Sequence, residues 1–160
     1  MPKMKRVLVG GLGGGLVIFG ITGMVNGAIL STPLHSWVLE MGPRMTPPPF
    51  PVALLLWFVM SWLLGTSGVW IFARIAAQSH SVAMSAIRAG MLVWVASKAV
   101  VALDFIALGI LPAPLLVGQL VGGLVEILLG VYGGARLYSY CEATLHRTSM
   151  KREFVATVKQ

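Results

Sequence analysis

Hydrophobic residues in this chain do not alternate with polar ones; they run together in four long stretches, 7–30, 52–73, 89–110 and 114–135. Each holds about 22 to 24 residues, or roughly 33 to 36 Å of α-helix, against a hydrocarbon core of about 30 Å. Each therefore predicts a membrane-spanning helix with modest tilt. Barrel strands need apolar and polar residues in alternation, and the unbroken runs exclude that architecture. The expected fold is all-α, a polytopic four-transmembrane-helix bundle. A basic N-terminus, 1–6, precedes the membrane domain, 7–136, and a basic tail, 137–160, follows it.

The connections differ in character. Segment 31–51 holds Pro33, Pro43, Pro47, Pro48, Pro49 and Pro51, which predicts an irregular or extended outer loop with a short interfacial turn over 35–41. Segment 74–88, bounded by Arg74 and Arg88, is polar enough to leave the membrane yet rich in helix formers, so the third helix is expected to start early, near Val82. Leu111-Pro112-Ala113-Pro114 is so short that the third and fourth helices must form a tight antiparallel hairpin.

Composition sharpens this picture. With 57 % hydrophobic and 11 % charged residues, the chain lacks the polar surface a soluble core needs, and its loops are too small for a soluble catalytic domain. The net charge of +7 raises the question of nucleic acid, but no binding motif or basic-aromatic interleaving accompanies it, and nucleic-acid partners are excluded on that ground. The basic residues act instead as orientation signals. Ten of them (Lys3, Lys5, Arg6, Arg74, Arg88, Arg136, Arg147, Lys151, Arg152, Lys159) fall on one side of the four spans, and only Arg44 falls on the other. The bias places both termini in the cytoplasm. A cleaved signal peptide over 1–27 is the rival reading, but its apolar run exceeds the roughly 7 to 15 residues of such a region.

Glycine and charge supply the candidate interior. Gly10 and Gly14, and Gly11 and Gly15, are two Gly-x-x-x-Gly pairs in the first span; Gly118, Gly122, Glu126, Gly130 and Gly134 follow at four-residue steps in the fourth. Such faces let helix backbones approach closely and predict packing against partner helices. The run 10–15 lacks the preceding strand and following Lys-Ser/Thr of a phosphate-binding loop. Three ionisable residues, Lys98, Asp104 and Glu126, lie inside predicted spans, where a charge costs about 2.5 to 3.5 kcal/mol on insertion scales. Lys98 is fourteen residues before Pro112 and Glu126 fourteen after, which puts them at equal depth and makes an ion pair natural. The same count sets Asp104, eight before, near Gln119, seven after. This polar track extends toward Ser61 and Thr66 on the second helix and Thr22 and Asn26 on the first. It is either a buried pair that fixes helix register or the lining of a site or proton path.

Other residues carry less. His35 beside Trp37 lacks a ligand partner at metal spacing, His80 and His146 are isolated, and Cys141 has no second cysteine, so neither a metal nor another cofactor is expected. Trp37, Trp57, Trp70, Tyr132, Tyr138 and Tyr140 lie mostly near span ends as an aromatic belt, while Trp62 and Trp94 lie deeper. In 137–160, Leu145, Phe154 and Val158 nearly share a face, which suits an amphipathic helix on an anionic leaflet; a disordered basic tail and a partner-docking segment are the alternatives.

The opening Lys5-Arg6-Val7-Leu8-Val9-Gly10-Gly11-Leu12-Gly13-Gly14-Gly15-Leu16-Val17-Ile18-Phe19 resembles that of small, uncharacterised four-pass bacterial inner-membrane proteins, over the first helix only. The resemblance implies a bacterial inner-membrane location and assigns no catalytic residue. The sequence leads first to a non-enzymatic accessory, assembly or structural component, in contact with lipid, with itself or with other membrane subunits. A small oligomeric transporter or proton-coupled permease built on the Lys98, Asp104 and Glu126 track is the alternative. A membrane-embedded enzyme ranks third, because no nucleophile–base pair stands out.

Overall fold

The computed structural model describes residues 2–41, 48–78 and 81–158, with side chains for 4–41, 48–78 and 81–144. The described residues are helical and form no strand. Helix α1 spans Pro2–Met24 and ends in a π-helical turn, Val25–Ile29; α2 spans Ser31–Met41; α3 spans Phe50–Ile75 and closes with a 3₁₀ turn, Ala76–Gln78. Helix α4, Val82–Trp94, passes through a second π-helical turn, Val95–Ala99, into α5, Val100–Leu108; α6 runs unbroken over Ala113–Val158. Four helical stretches are long and apolar enough to cross a membrane: Met4–Ile29, Phe50–Gln78, Val82–Leu108 and Ala113–Thr144.

Local signals set the boundaries. Ser81 caps α4, its hydroxyl accepting a hydrogen bond from the Met84 amide at 3.3 Å. Gly109 stops α5 at φ 61°, a left-handed conformation that only glycine adopts at little cost, and Ile110 N–H closes the cap on Phe105 C=O. Pro51 is accommodated in the first turn of α3, where its missing N–H is not needed. The same reasoning explains where the expected outer loop differs. Ser31–Met41 is a helix because Pro33, at its third residue, also falls in a first turn. Arg44, Pro43, Pro47 and His80 lie outside the described residues, as do the side chains of Leu145, His146, Phe154 and Val158; the backbone of the tail through Val158 continues α6 as helix.

The glycine pairs of α1 face two different helices. A Cβ on Gly14 would stand 2.7 Å from Gly130 O, and one on Gly134 would stand 2.6 Å from Gly10 O, so the α1 and α6 backbones touch. Gly11 and Gly15 instead meet Thr66, Trp62 and Gly65 of α3. Helix α1 thus packs on both α3 and α6, and α4 packs on α6 and α3. Val69 and Phe72 of α3, Ala86 and Ala89 of α4, and Ile127 and Val131 of α6 are all buried, which places the densest packing at the termini end. An Arg6–Glu142 ion pair of 2.9 Å ties α1 to α6 there.

The loop end is looser. Helices α3 and α4 pack together, but α5 rests on little beyond the π-helical turn that precedes it. Large apolar side chains, among them Leu103, Ile106 and Leu108, are exposed along it. One clasp bridges this end: Trp37 of α2 donates its indole N–H to Ile110 C=O at 3.0 Å.

Candidate functional site: a polar cavity inside the bundle

Glu126 is only 2 % exposed, and the glycine ladder explains how it is accommodated. Along α6, Gly118 meets Leu30, Gly122 meets Val25, Gly130 meets Ile18 and Gly134 meets Gly10. Glu126 takes the middle step of that face, opposite Thr22, where the flanking glycines bring α1 close without filling the space.

Three groups surround its carboxylate. Lys98 Nζ lies 2.8 Å from Oε1. That approach is an ion pair by distance, yet its angles fall outside hydrogen-bond geometry, so Oε1 has a counter-charge but no aligned donor. The lysine stem reaches it by lying over Gly123, against which a Cβ would stand 3.0 Å from Lys98 Cγ. Thr22 Oγ1 is 2.6 Å from Oε2 and 2.8 Å from Ile18 O. A hydroxyl has one proton, so these two acceptors compete for it. One turn further, in the π-helical turn that ends α1, Asn26 donates to Thr22 C=O at 3.0 Å and accepts from Gln119 Nε2 at 2.7 Å.

These groups wall a cavity of about 250 Å³. Its polar lining is Thr22, Asn26, Ser61, Lys98, Gln119 and Glu126; Ile18, Leu34, Trp57, Met60 and Leu64 complete it. Leu34 belongs to α2, which therefore covers part of the loop end. Trp57 and Met60 are 48 % and 59 % exposed, so the cavity reaches the outer surface of the bundle beside α3. An apolar cavity of about 150 Å³ can hold benzene, so the volume here admits a small organic solute or a cluster of waters.

Both π-helical turns lie on this wall, one carrying Asn26 and the other Lys98. Side chains in or before the turns bond back to the backbone. Thr22 Oγ1 and Asn26 Nδ2 bond back to the carbonyls of Ile18 and Thr22, and Ser97 Oγ bonds back to Val93 C=O at 2.7 Å. Side chains that compete for the carbonyl four residues earlier loosen the ladder, and π-turns inside α-helices are frequent at functional sites.

The remaining track residues are placed elsewhere. Asp104 is exposed on α5, outside the cavity lining, with no partner among the described residues; Gln119 pairs with Asn26. Thr66 lies against Gly11, its buried hydroxyl unpartnered. Trp94 donates to Leu120 C=O at 3.1 Å and joins α4 to α6. His35 is exposed, and no group of three or more His, Cys, Asp or Glu gathers among the described residues. Gly123 escaped the sequence reading, although its place three residues before Glu126 marks it as the seat a partner's stem would need. The four-residue ladder that buries Glu126 also aims it at Thr22 of α1, an extension of the track that the sequence suggests.

The cavity can bind a polar solute between a carboxylate and an ammonium, with amide and hydroxyl groups to orient it. No family model, no curated protein and no solved structure matches this chain.

Proposed function

We propose that this protein is a small carrier of the bacterial inner membrane, a transporter or permease with both termini in the cytoplasm, whose working site is the Lys98–Glu126 cavity. The observation that carries the reading is a buried ion pair on the wall of a cavity flanked by two π-helical turns. A pair that served only to lock helix register would be packed shut, since open space beside it forfeits dispersion contacts. With the termini inside, the cavity occupies the outer half of the bilayer. A solute enters beside α3, past Trp57 and Met60, and competes with Lys98 for Glu126 Oε1. The loosely packed α5 is the element free to move as it does so.

The test is flux in proteoliposomes, read as proton uptake with an entrapped pH dye and as counterflow of a panel of small neutral, zwitterionic and cationic solutes. Wild-type protein is expected to carry at least one of these, and folded Glu126→Gln protein none. Flux unchanged by Glu126→Gln would sink the assignment of the site.

A second reading rests on Asp104. An exposed carboxylate on an apolar helix, with no described partner, is costly in lipid and suits contact with another subunit. The protein would then be an accessory or assembly component, or an oligomer. Purification in mild detergent after cross-linking through Asp104→Cys separates the readings, because only this one requires a second chain at that position.

A further inference from the structure

A second concavity, a shallow and largely open groove of about 560 Å³, lies on the outside of the bundle near its termini end. Its walls are Ile75 at the end of α3 and the face of α4 that carries Ile87, Met91, Leu92 and, in the π-turn beyond, Val95; Arg88 stands at the rim. Every wall residue except Arg88 is hydrocarbon or thioether. Arg88 is exposed and has neither a carboxylate nor an aromatic partner among the described residues. The other described arginines are engaged: Arg6, Arg74 and Arg136 lie 5.8, 5.3 and 6.0 Å from the ring centroids of Tyr138, Trp70 and Tyr132.

We infer that this groove binds one anionic phospholipid, its phosphate on Arg88 and an acyl chain along Ile87, Met91 and Val95. A groove that is apolar along its length and cationic at one end complements an amphiphile with an anionic head. The forked guanidinium grips phosphate with two parallel hydrogen bonds, which a lysine at this position would not supply. Depth agrees as well. Val82–Leu108 has 27 residues, about 40 Å of helix against a hydrocarbon core of about 30 Å. Arg88, six residues from the start, therefore sits near the level of the headgroups, within reach by snorkelling. The site depends on the membrane location proposed above and is independent of the cavity's role.

The protein is to be reconstituted in nanodiscs of phosphatidylcholine, with and without a minor fraction of phosphatidylglycerol, and its thermal midpoint and retained lipid measured by melting and native mass spectrometry. Phosphatidylglycerol is expected to raise the wild-type midpoint by about 5 °C, the scale of a saturating ligand on a chain of this size, and to be retained one to one. Arg88→Gln should lose both effects. Met91→Trp, which fills the groove and keeps the charge, should lose them too, while Lys5→Gln, which removes a different charge away from the groove, should keep them. Equal selectivity in Arg88→Gln and wild type overturns the site, as does a dimer in place of the bound lipid. Failure of the chain to enter nanodiscs would overturn the membrane location itself.

Discussion

Replacing Lys98 by Met should cost more stability than replacing Glu126 by Gln, and making both changes should cost less than their sum. At 2.8 Å the two charges attract by about 6 kcal/mol for an effective dielectric of 20, and desolvation offsets most of that gain. What each single substitution exposes is the uncompensated burial of the partner left behind. The Glu126 side chain is 3 % exposed and the Lys98 side chain 27 % exposed. Lys98→Met strands the deeper charge with Thr22 as its remaining contact, at about 3 to 4 kcal/mol. Glu126→Gln keeps an acceptor for Thr22 and leaves a lysine that can swing into the cavity, at about 2 kcal/mol. With the double variant at about 2 kcal/mol, the coupling is about 3 to 4 kcal/mol, at or slightly above the upper end for neighbouring residues. Melting of the four proteins in one mild detergent measures it, with Lys98→Met lowering the midpoint by about 10 °C. Additivity within about 0.5 kcal/mol would refute the coupling, and a greater loss for Glu126→Gln than for Lys98→Met would refute the burial argument.

The helix contacts and the site's periphery are open to test in the same assay. Gly14→Val should cost 2 kcal/mol or more, of the order of overpacking, because its side chain would meet the Gly130 carbonyl, whereas Gly23→Ala, with open space around it, should be neutral or gain about 0.5 to 1 kcal/mol. Thr22→Val, which removes the hydroxyl beside Glu126 Oε2, should cost about 1 to 2 kcal/mol, while Thr22→Ser should recover most of it. Asp104→Asn should change the stability of the isolated chain by no more than about 0.5 kcal/mol, since the carboxylate is exposed and has no partner among the described residues; a larger drop would mean that α5 is held by contacts to Asp104.

Much of the frame is legible in the residues because it depends on one-dimensional quantities. Apolar length and turn residues locate four membrane-length helices, and counting outward from Pro112 sets Lys98 and Glu126 level. Azimuth and splay are three-dimensional and leave weaker traces. Gly10 and Gly11 look equivalent in sequence, yet one serves α6 and the other α3, a division fixed by where two other helices pass. Asp104 matches Gln119 in depth, but α5 leaves the bundle after the π-turn, and Gln119 finds Asn26. Depth is a property of one hairpin; partner choice is a property of the whole bundle. The cavity itself is an absence of packing, and a pattern of residue types marks where atoms lie better than where they are missing.

Helix α6 runs without interruption from the cavity wall to Val158. The 32 residues after Glu126 up to that point make a rod of about 48 Å, stiff in torsion because each turn is hydrogen-bonded to the next. Whatever grips the far end of the rod holds Glu126 by its axle. A fusion partner or surface tether attached at the C-terminus is therefore a mechanical load on the ion pair, and a freely rotating linker at that point is part of any fair measurement of what the cavity does.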